Sequence, residues 1–394
     1  MKRAAILLLV VSLTGTVVAA QRTRPAAPQA AAPYFPARHE WQTREPAQAG
    51  FDAVRLQAAI EFALKSENPA TKDLAVDLAT TFGREPFDTP IGPIQPRGSL
   101  NGLIIRHGYV VAEWGDTARV DMTFSVTKSF LSTVVGLAWQ KGLIRDVNDR
   151  VRDYVPGTDL FASEHNAKIT WDHLLRQTSD WQGTLWGKPD WADRPEGQTP
   201  ADWPNRKVSE PGTRYKYNDV RVNVLALAAL HVLRRPLPQV LREEIMDPIG
   251  ASPTWRWYGY DNAWIDLDGQ KVQSMTGGGH WGGGMFISAR DMARFGYLFL
   301  RNGAWNGREL VSPAWIAMAR TPGAANATYG YMNWFLNTDR KPLPNASATA
   351  VTFQGNGSNI VYIDWENDVV IVVRWIQQRA LNEFIGQVLG ALQR

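Results

Sequence analysis

Two groups of predicted strands lie at opposite ends of this chain. Residues 103–114 are rich in apolar and β-branched side chains on either side of a tight turn at Gly108, and residues 360–365 and 369–375 form a second apolar pair. Runs of this kind, bounded by turn residues, are typical of β-hairpins. The early and late strands would have to meet in one antiparallel sheet, so we predict an α+β fold that is discontinuous in sequence.

Helices are predicted around and between these strands. From about 145 to 270 the chain is rich in loops and tryptophan and carries one clear helix over 220–235, which indicates a mostly helical subdomain inserted into the sheet. Three further helices are predicted. The first begins at Asp52 and has Val54, Ile60 and Leu64 on its apolar face. The second covers 288–302 and is closed by Gly303, and the last is an amphipathic helix over 381–392. We therefore expect an antiparallel β-sheet flanked by helices.

The N-terminal residues have the pattern of a secretory signal peptide. Residues 1–20 begin with Lys2 and Arg3, continue as an apolar run and end in small residues, so we predict cleavage after Ala20 and a periplasmic or secreted protein. The apolar run is too short to span a membrane stably and no cysteine is present for a lipid, so no stable membrane anchor is expected. Residues 21–39 are predicted as a linker rich in proline and alanine, followed by a folded domain over 40–394.

Composition excludes several classes of function. The chain has no cysteine, which removes disulfides, thiolate metal sites and cysteine nucleophiles. The net charge of +4 falls to +2 once Lys2 and Arg3 leave with the signal peptide, and this is too small for a nucleic-acid footprint. The six histidines show no metal-ligand spacing, so we predict no metal and no cofactor. The sequence does not determine the oligomeric state.

A Ser-x-x-Lys motif lies at the start of an apolar segment. Ser125 and Lys128 open the run 122–138, which is predicted to continue as a helix to Gly142. Residues three apart on a helix are neighbours, so the hydroxyl and the amine share one face, and first-turn N–H groups can stabilise developing negative charge. Such a pair is a minimal serine nucleophile and base. A solvated surface lysine is the alternative, but a lysine buried in an apolar helix needs a partner.

Two further segments could complete a catalytic site around the serine. Residues 211–219 form a turn into the helix from Val220 and place two tyrosine hydroxyls at its entrance. Residues 353–359 precede a strand, and their glycines would let backbone N–H groups approach a substrate closely. An ordinary Asn-Gly turn is the alternative for the second segment.

On these residues the chain resembles the serine β-lactamase and penicillin-binding superfamily, and it is most similar to class C β-lactamases, family VIII esterases and 6-aminohexanoate-dimer hydrolases. The resemblance covers roughly residues 50–390 and rests on Ser-x-x-Lys, Tyr-x-Asn and Lys/His-x-Gly motifs, supported by the stretches 169–179 and 281–294. It implies a hydrolase that cleaves a small-molecule ester or amide through an acyl-serine intermediate, without a cofactor, and the signal-peptide pattern indicates that the mature protein is soluble and exported.

The resemblance also implies roles for individual residues. Ser125 would be the nucleophile, and Lys128 and Tyr217 would handle its proton, with Tyr215 as the alternative tyrosine. The oxyanion would be held by the N–H of Ser125 and one near Asn359. The remaining predicted substrate or oxyanion residues are Asn356, Gly357, Ser358, Asp219 and Trp281, the last together with His280 either lining the cleft or packing beside a glycine turn.

Two departures from the family motifs affect the expected activity. The second motif ends in Asp219 instead of asparagine, and the third is Asn356–Ser358, without a cation that could face a substrate carboxylate. Asp219 is either a partner of Lys128 or a helix N-cap. If it pairs with the lysine, it favours the protonated amine, and a Tyr217 phenolate becomes the proton acceptor.

Two other functions remain open from the sequence. A β-lactamase or D-alanyl-D-alanine peptidase is possible on the same scaffold, although the missing cation of the third motif argues against it. A catalytically inactive protein that binds cell-wall peptides is the other, supported by Asp219 and opposed by the retention of the serine, lysine and tyrosine.

Overall fold

The early and late strands meet in one six-stranded antiparallel sheet. The computed structural model describes residues 33–393, and the predicted signal peptide lies outside this part of the chain. In sheet order the strands are β11 (Phe335–Leu336), β12 (Val351–Gly355), β13 (Asn359–Asp364), β14 (Val369–Arg374), β1 (Asn101–Arg106) and β2 (Tyr109–Trp114). The prediction of an antiparallel sheet built from distant parts of the sequence is confirmed.

Strand β14 joins the two ends of the chain in register. Leu103 lies opposite Val372 and Ile105 lies opposite Val370, while Val361 pairs with Val372 on the other side. Every residue of β13 and β14 is buried, as expected for a central pair of strands covered on both faces. Burial of these aliphatic side chains stabilises the sheet by roughly 1.5–3 kcal/mol each relative to exposure.

Helices cover both faces of this sheet. They are α1 (Ala53–Leu64), α2 (Leu74–Phe82), α3 (Thr127–Gln140), α4 (Trp171–Leu175), α5 (Asp219–Leu233), α6 (Leu237–Leu241), α7 (Ala289–Leu300), α8 (Pro313–Ala319) and α9 (Leu381–Gly390). Helices α1 and α9 pack together on one face, and α7 packs against β13, β14 and β1 on the other. The side chain of Ser288 caps α7 by accepting a hydrogen bond from the N–H of Asp291.

The predicted apolar face of α1 is wrong at two of its three positions. Asp52 is the N-cap as expected, but Val54 is 80% exposed and Leu64 is 49% exposed. The residues that face the sheet are Leu56, Ala59, Ile60 and Ala63. Two of these are alanines, whose small side chains give a weak apolar signal although they allow a close helix approach.

The predicted helical insertion is helical only in its first part. Helices α4, α5 and α6, followed by a π-helical turn at Arg242–Met246, lie within it. From residue 256 the chain forms a hairpin of β6 (Arg256–Leu267) and β7 (Gln270–Met275), which joins β8 (Gly284–Ile287) and β3 (Asp121–Met122) in a second antiparallel sheet of order β3-β8-β6-β7. The remaining strands form two short pairs, β4 (Thr184–Leu185) with β5 (Lys188–Pro189) and β9 (Ala304–Trp305) with β10 (Arg308–Glu309).

The folded part begins earlier than the predicted boundary at residue 40. Tyr34 stacks on Tyr109 with ring centroids 4.5 Å apart, and its carbonyl accepts a hydrogen bond from the Tyr297 hydroxyl at 2.9 Å. Arg294 donates to the carbonyls of Pro36 and Ala37. The last residues of the predicted linker 21–39 are therefore packed against the domain, because their aromatic rings and carbonyls find partners there.

One pair of helices meets a composition test for a membrane span. Within residues 33–393 no single helix is long and apolar enough to cross a membrane, whereas α5 and the segment Leu237–Met246, bent by 76°, meet the test together.

Candidate active site

Ser125 lies in a single helical turn just before α3. It was predicted to open this helix, which begins two residues later, at Thr127. This 3-10 turn, Phe124–Val126, follows directly from strand β3. The Thr127 hydroxyl donates to the Phe124 carbonyl at 2.6 Å and accepts from the Met285 N–H at 2.9 Å, which ties the turn to strand β8. From residue 121 to 138, Ser125 is the one residue that is not buried. The serine is thus presented at the surface by a rigid, buried frame.

Lys128 is completely buried directly beneath the serine. Its Nζ donates to Ser125 Oγ at 2.8 Å and to the Gly277 carbonyl at 3.1 Å, and it lies 2.6 Å from Asp219 Oδ1. Burial works to lower the pKa of the Lys128 ammonium, but the Asp219 carboxylate and Tyr217 outweigh it, so that the pKa is raised above its usual value. Lys128 is therefore protonated at neutral pH.

Tyr217 is the tyrosine that reaches the serine. Its hydroxyl donates to Asn333 Oδ1 at 3.4 Å, its ring centroid is 5.1 Å from Lys128 Nζ, and the Ser125 side chain is among the neighbours that lower the pKa of this hydroxyl. Tyr215 packs instead against Tyr329, with ring centroids 5.1 Å apart. The structure thus brings Tyr217 to the serine and leaves Tyr215 in an aromatic cluster.

The resting protonation states differ from the phenolate hypothesis. Burial raises the pKa of the Tyr217 hydroxyl, and the nearby Lys128 charge only partly opposes it. The resting site therefore holds a neutral phenol together with a protonated amine. The hypothesis that Asp219 favours a charged lysine agrees with the structure, but a resting Tyr217 phenolate does not.

Asp219 is the partner of Lys128 and not the helix N-cap. The N-cap of α5 is Asn218, whose side chain accepts from the Arg221 N–H at 3.0 Å. Asp219 instead links Lys128 through Oδ1 to Arg194 Nη1, which lies 3.4 Å from Oδ2. Burial would raise the pKa of the Asp219 carboxyl, but these two cations hold it well below its usual range.

A cluster of buried charges extends from Lys128 into the protein. We call it the Lys128 cluster, and its members are Lys128, Asp219, Arg194, Asp193, His280 and Glu85. His280 Nε2 lies 3.4 Å from Glu85 and Nδ1 lies 3.5 Å from Asp219, yet neither ring nitrogen makes a hydrogen bond within residues 33–393. The His280 ring stacks on Phe82 at a centroid distance of 4.4 Å, which closes the far end of the cluster.

Part of this cluster could hold a metal ion by geometry alone. One ligand atom each from Glu85, Asp193 and His280 lies within 4.8 Å of the others. Arg194 Nη1, however, already contacts Asp193, and the Arg194 backbone N–H donates to Glu85 at 3.2 Å. A cation would have to displace this positive charge, so the donor set does not fit a metal site. The sequence-based expectation of a metal-free protein remains a prediction.

The predicted oxyanion segment, residues 356–359, forms a tight connection between β12 and β13. Gly357 has φ 71°, and a Cβ there would overlap the Trp375 ring, so this glycine is required by a left-handed turn and close packing. The Ser358 hydroxyl donates to Gln378 at 2.9 Å. The Asn359 side chain donates to the Asn356 carbonyl at 2.7 Å and accepts from Arg374 at 2.7 Å. The structure thus engages Ser358 and Asn359 in structural hydrogen bonds.

The end of β12 packs against the residue that leads into the serine turn. A Cβ on Gly355 would overlap the Thr123 carbonyl oxygen, two residues before Ser125. Asn333, buried with a left-handed φ of 63°, donates to the Gln354 carbonyl at 2.6 Å and lies beside the Tyr217 hydroxyl. Asn333 was not among the predicted site residues, because it lies in no recognisable sequence motif.

The prediction that Trp281 lines the cleft is contradicted. Trp281 is fully buried, its indole N–H donates to the Phe87 carbonyl at 2.8 Å, and Lys188 Nζ lies 5.0 Å from its ring centroid. The Ile91 and Gly92 N–H groups both donate to its carbonyl at 3.0 Å. Trp281 therefore anchors the segment around residues 87–92 and offers no surface to a substrate.

The fold and this site agree with the comparisons with known proteins. A sequence profile of the Beta-lactamase family matches residues 103–379, and the chain therefore belongs to this family of β-lactamase-fold hydrolases. A curated relative, the 6-aminohexanoate-dimer hydrolase of Paenarthrobacter ureafaciens, is 27% identical over an alignment of 248 residues that covers 57% of this chain and 58% of that protein. The match thus spans little more than half the length of that relative.

Solved structures show the same fold at low sequence identity. A family VIII carboxylesterase superposes with a TM-score of 0.56 at 16% identity, covering 89% of this chain and 98% of that one. A penicillin-binding protein homologue from Caulobacter crescentus superposes with a TM-score of 0.55 at 15% identity, covering 86% and 98%. The predicted β-lactamase and penicillin-binding fold is confirmed.

Proposed function

We propose that this protein is a serine hydrolase that cleaves an ester or amide through an acyl-serine intermediate on Ser125. The observation that carries the proposal is the hydrogen bond from Lys128 Nζ to Ser125 Oγ at 2.8 Å, with the Tyr217 ring centroid 5.1 Å from the same Nζ as a second proton-handling group. A serine needs such a neighbouring base because its hydroxyl is a weak nucleophile.

The base must lose a proton before the serine can react. The pKa values of both Lys128 and Tyr217 are raised, so one of the two must deprotonate first. Ser125 Oγ then attacks the carbonyl carbon while its proton passes to that base. The same proton is returned to the leaving alkoxide or amine, and a water molecule repeats the sequence to release the acid. Activity is therefore expected to rise toward alkaline pH.

The oxyanion needs two donors near Ser125. The N–H of Ser125 at the start of the helical turn is one candidate, as the sequence indicated. We propose that the second donor comes from the backbone at Gly355–Asn356, because Gly355 touches the segment that precedes Ser125. One such donor is worth about 3 kcal/mol in the transition state.

An ester or amide substrate is favoured over a β-lactam. The curated relative is named for the hydrolysis of an amide dimer, and one structural neighbour is a carboxylesterase. The connection 356–358 carries no cation, which a β-lactam carboxylate would require at this position. A β-lactamase or peptidase and an inactive binding protein are the outcomes against which the proposal is tested.

Intact-mass spectrometry on the mature protein tests the proposal. The protein is exposed to a fluorophosphonate, a cephalosporin and short 4-nitrophenyl esters, with Ser125→Ala as the matched control. We expect a fluorophosphonate adduct and ester turnover that both depend on Ser125, without a cephalosporin adduct. A stable or rapidly hydrolysed cephalosporin adduct would support a penicillin-recognising enzyme. Absence of any adduct that depends on Ser125 would support an inactive binder.

We also propose that the protein is exported, on the pattern of residues 1–20 alone. Cell fractionation and the N-terminal mass of the purified protein test this. A cytoplasmic protein that retains residues 1–20 would contradict it.

A further inference from the structure

We propose that Arg194 binds a carboxylate of the substrate, so that the enzyme prefers esters or amides carrying a negative charge close to the scissile bond. This inference rests on the proposed function and extends it to a class of substrate. Its basis is the position and the exposure of the guanidinium, together with the backbone that holds it.

The first observation is where the guanidinium lies. The Arg194 Cζ atom is 5.1 Å from the centroid of the Tyr217 ring, and Lys128 Nζ, which donates to Ser125, is also 5.1 Å from that centroid. Arg194 Nη1 is also 3.4 Å from Asp219, the partner of Lys128. The arginine is therefore next to the groups that handle the serine proton.

The second observation is that the guanidinium is only partly used by the protein. Its Nη1 bonds to Asp193 and Asp219, and within residues 33–393 these are its only hydrogen bonds, which leaves Nε and Nη2 with free donors. The side chain is 37% exposed, whereas the side chains of Asp193 and Asp219 are 0% and 2% exposed. The Arg194 side chain therefore has an access to solvent that neither of its two aspartate partners has. The planar fork of an arginine matches a carboxylate in two parallel hydrogen bonds.

The third observation is the backbone that presents this side chain. Arg194 has φ 51°, in the left-handed region that side chains other than glycine rarely adopt. Three other non-glycine residues between 177 and 194 share this property, namely Gln177, Asp180 and Trp186. Backbone strain of this kind persists where the surrounding structure enforces it, and it is often concentrated at ligand sites.

Lys128 cannot serve as the anion-binding cation of this site, because it is completely buried and held by three oxygen acceptors. The connection that forms the third motif carries a neutral asparagine at position 356. Arg194 comes from a different segment, the loop that follows β5, so nothing in the three motifs indicates it.

Matched ester pairs test the inference on the intact protein. The first pair is 4-nitrophenyl hydrogen adipate and 4-nitrophenyl hexanoate, which share a leaving group and differ by a terminal carboxylate. The second pair is 4-carboxyphenyl hexanoate and 4-carbamoylphenyl hexanoate, which carry the charge on the leaving side. The measured quantity is the ratio of kcat/KM for the charged ester to that for the neutral ester, after subtraction of spontaneous hydrolysis.

The variants are Arg194→Gln, Arg194→Lys and the control Arg214→Gln. Arg214 is 45% exposed and pairs with Glu196, and it lies three residues before Tyr217, so its replacement removes the same charge from the same region. We expect the wild type to prefer the charged ester in at least one pair. Arg194→Gln should lower that ratio about tenfold or more, the effect of a lost charge-assisted hydrogen bond. Arg194→Lys should fall between the two, and Arg214→Gln should leave the ratio unchanged.

The outcomes separate this inference from the proposed function. Equal ratios in the wild type, Arg194→Gln and Arg214→Gln for both pairs would overturn the carboxylate site while leaving the serine hydrolase intact. Absence of any hydrolysis that depends on Ser125 would overturn both. If Arg194→Gln does not fold, the ratio measured for the wild type tests the inference instead. A preference for the charged ester that arises from an exposed cation should decline as salt is added. Absence of any such preference in both pairs would contradict the inference.

Discussion

Two networks of charged side chains meet the loop 180–209, and they differ in how completely they are paired. The Lys128 cluster leaves both ring nitrogens of His280 without hydrogen bonds. The second network, which we call the Asp180 network, joins the loop 180–209 to the start of α5 and consists of Asp180, Asp190, Arg206 and Arg221. All of its buried side-chain polar atoms have hydrogen-bond partners within residues 33–393.

The difference separates a structural role from a chemical one. In the Asp180 network, Arg206 donates to Asp180 at 2.8 Å and to Asp190 at 2.6 Å, and the Ser209 N–H donates to Asp180 at 2.6 Å. A fully satisfied buried network holds its segments rigidly. An unsatisfied buried polar group is costly and calls for an explanation, of which a catalytic role is one. The closed network fixes the loop that carries Asp193 and Arg194, and the open one reaches the serine.

The largest expected effect is the loss of activity on replacing Lys128. We expect Lys128→Met to lower kcat/KM for a 4-nitrophenyl ester by about 100- to 10,000-fold, because the neighbouring proton acceptor is removed. Arg194 remains beside Asp219 and compensates its charge, so the variant should still fold. Steady-state kinetics and a thermal melt measure the two effects. Retained activity in a folded Lys128→Met would contradict the assignment of the Lys128 cluster to chemistry.

Replacing one arginine of the Asp180 network should chiefly reduce stability. Arg221 is 2% exposed and donates to Asp180 at 2.5 Å, so Arg221→Met leaves buried carboxylates short of a cation. We expect the free energy of unfolding to fall by about 3–5 kcal/mol. Urea denaturation monitored by tryptophan fluorescence measures this, with the exposed arginine of Arg235→Met as control. A loss no greater than that of the control would show that the closed network is not structural.

The protonation of Lys128 should respond to Asp219. Because the Asp219 carboxylate raises the pKa of Lys128, Asp219→Asn should lower that pKa and let the amine lose its proton at lower pH. The rising limb of the profile of kcat/KM against pH is therefore expected to move toward acid. Asp268→Asn, which removes an exposed carboxylate paired with Arg234, should leave the limb in place. A limb that moves toward alkaline pH would mean that the amine is not the titrating base.

The smallest expected effect compares two arginine-to-lysine changes. Arg206 bridges two aspartates through separate nitrogens, which a lysine cannot reproduce, so Arg206→Lys should cost about 1–2 kcal/mol of stability. Arg194 engages its aspartates through Nη1 alone, so Arg194→Lys should cost less than about 0.5 kcal/mol. Urea denaturation of both variants checks the order. Equal losses of unfolding free energy would show that the two arginines do not differ in how much their hydrogen-bond geometry contributes to stability.

Local sequence patterns were sufficient to predict several strands of the main sheet and the contact between Ser125 and Lys128. The hairpin around Gly108 and the strands 360–365 and 369–375 were recognisable because strand runs and turn residues are local signals. The pairing of Ser125 with Lys128 followed from a three-residue spacing that a helical turn converts directly into contact. Tyr217 was distinguished from Tyr215 by its place in the family motif.

The errors share one cause, which is that burial and contact are set by distant segments. Trp281 was listed for the cleft with packing beside a glycine turn as the alternative, and residues 87–92 cover it. The predicted oxyanion role of Gly357 stays a prediction, but the contact with Trp375 that excludes a side chain there was not visible in the sequence. The buried face of α1 was misjudged because two of its four residues are alanines, which give a weak apolar signal, while Val54 and Leu64 are exposed.

The amino-acid order thus specified the elements whose interactions span a few residues: the hairpins, the helices and the Ser-x-x-Lys turn. The charges around the site were decided by the tertiary structure. The groups that set them come from segments up to about 150 residues from Lys128, and they are Asp219, Arg194, His280 and the Gly277 carbonyl. No spacing rule relates such residues before the chain has folded. Their distances, and with them the charge on Lys128 and the exposed donors of Arg194, follow from the packing of the loop 180–209 against α5.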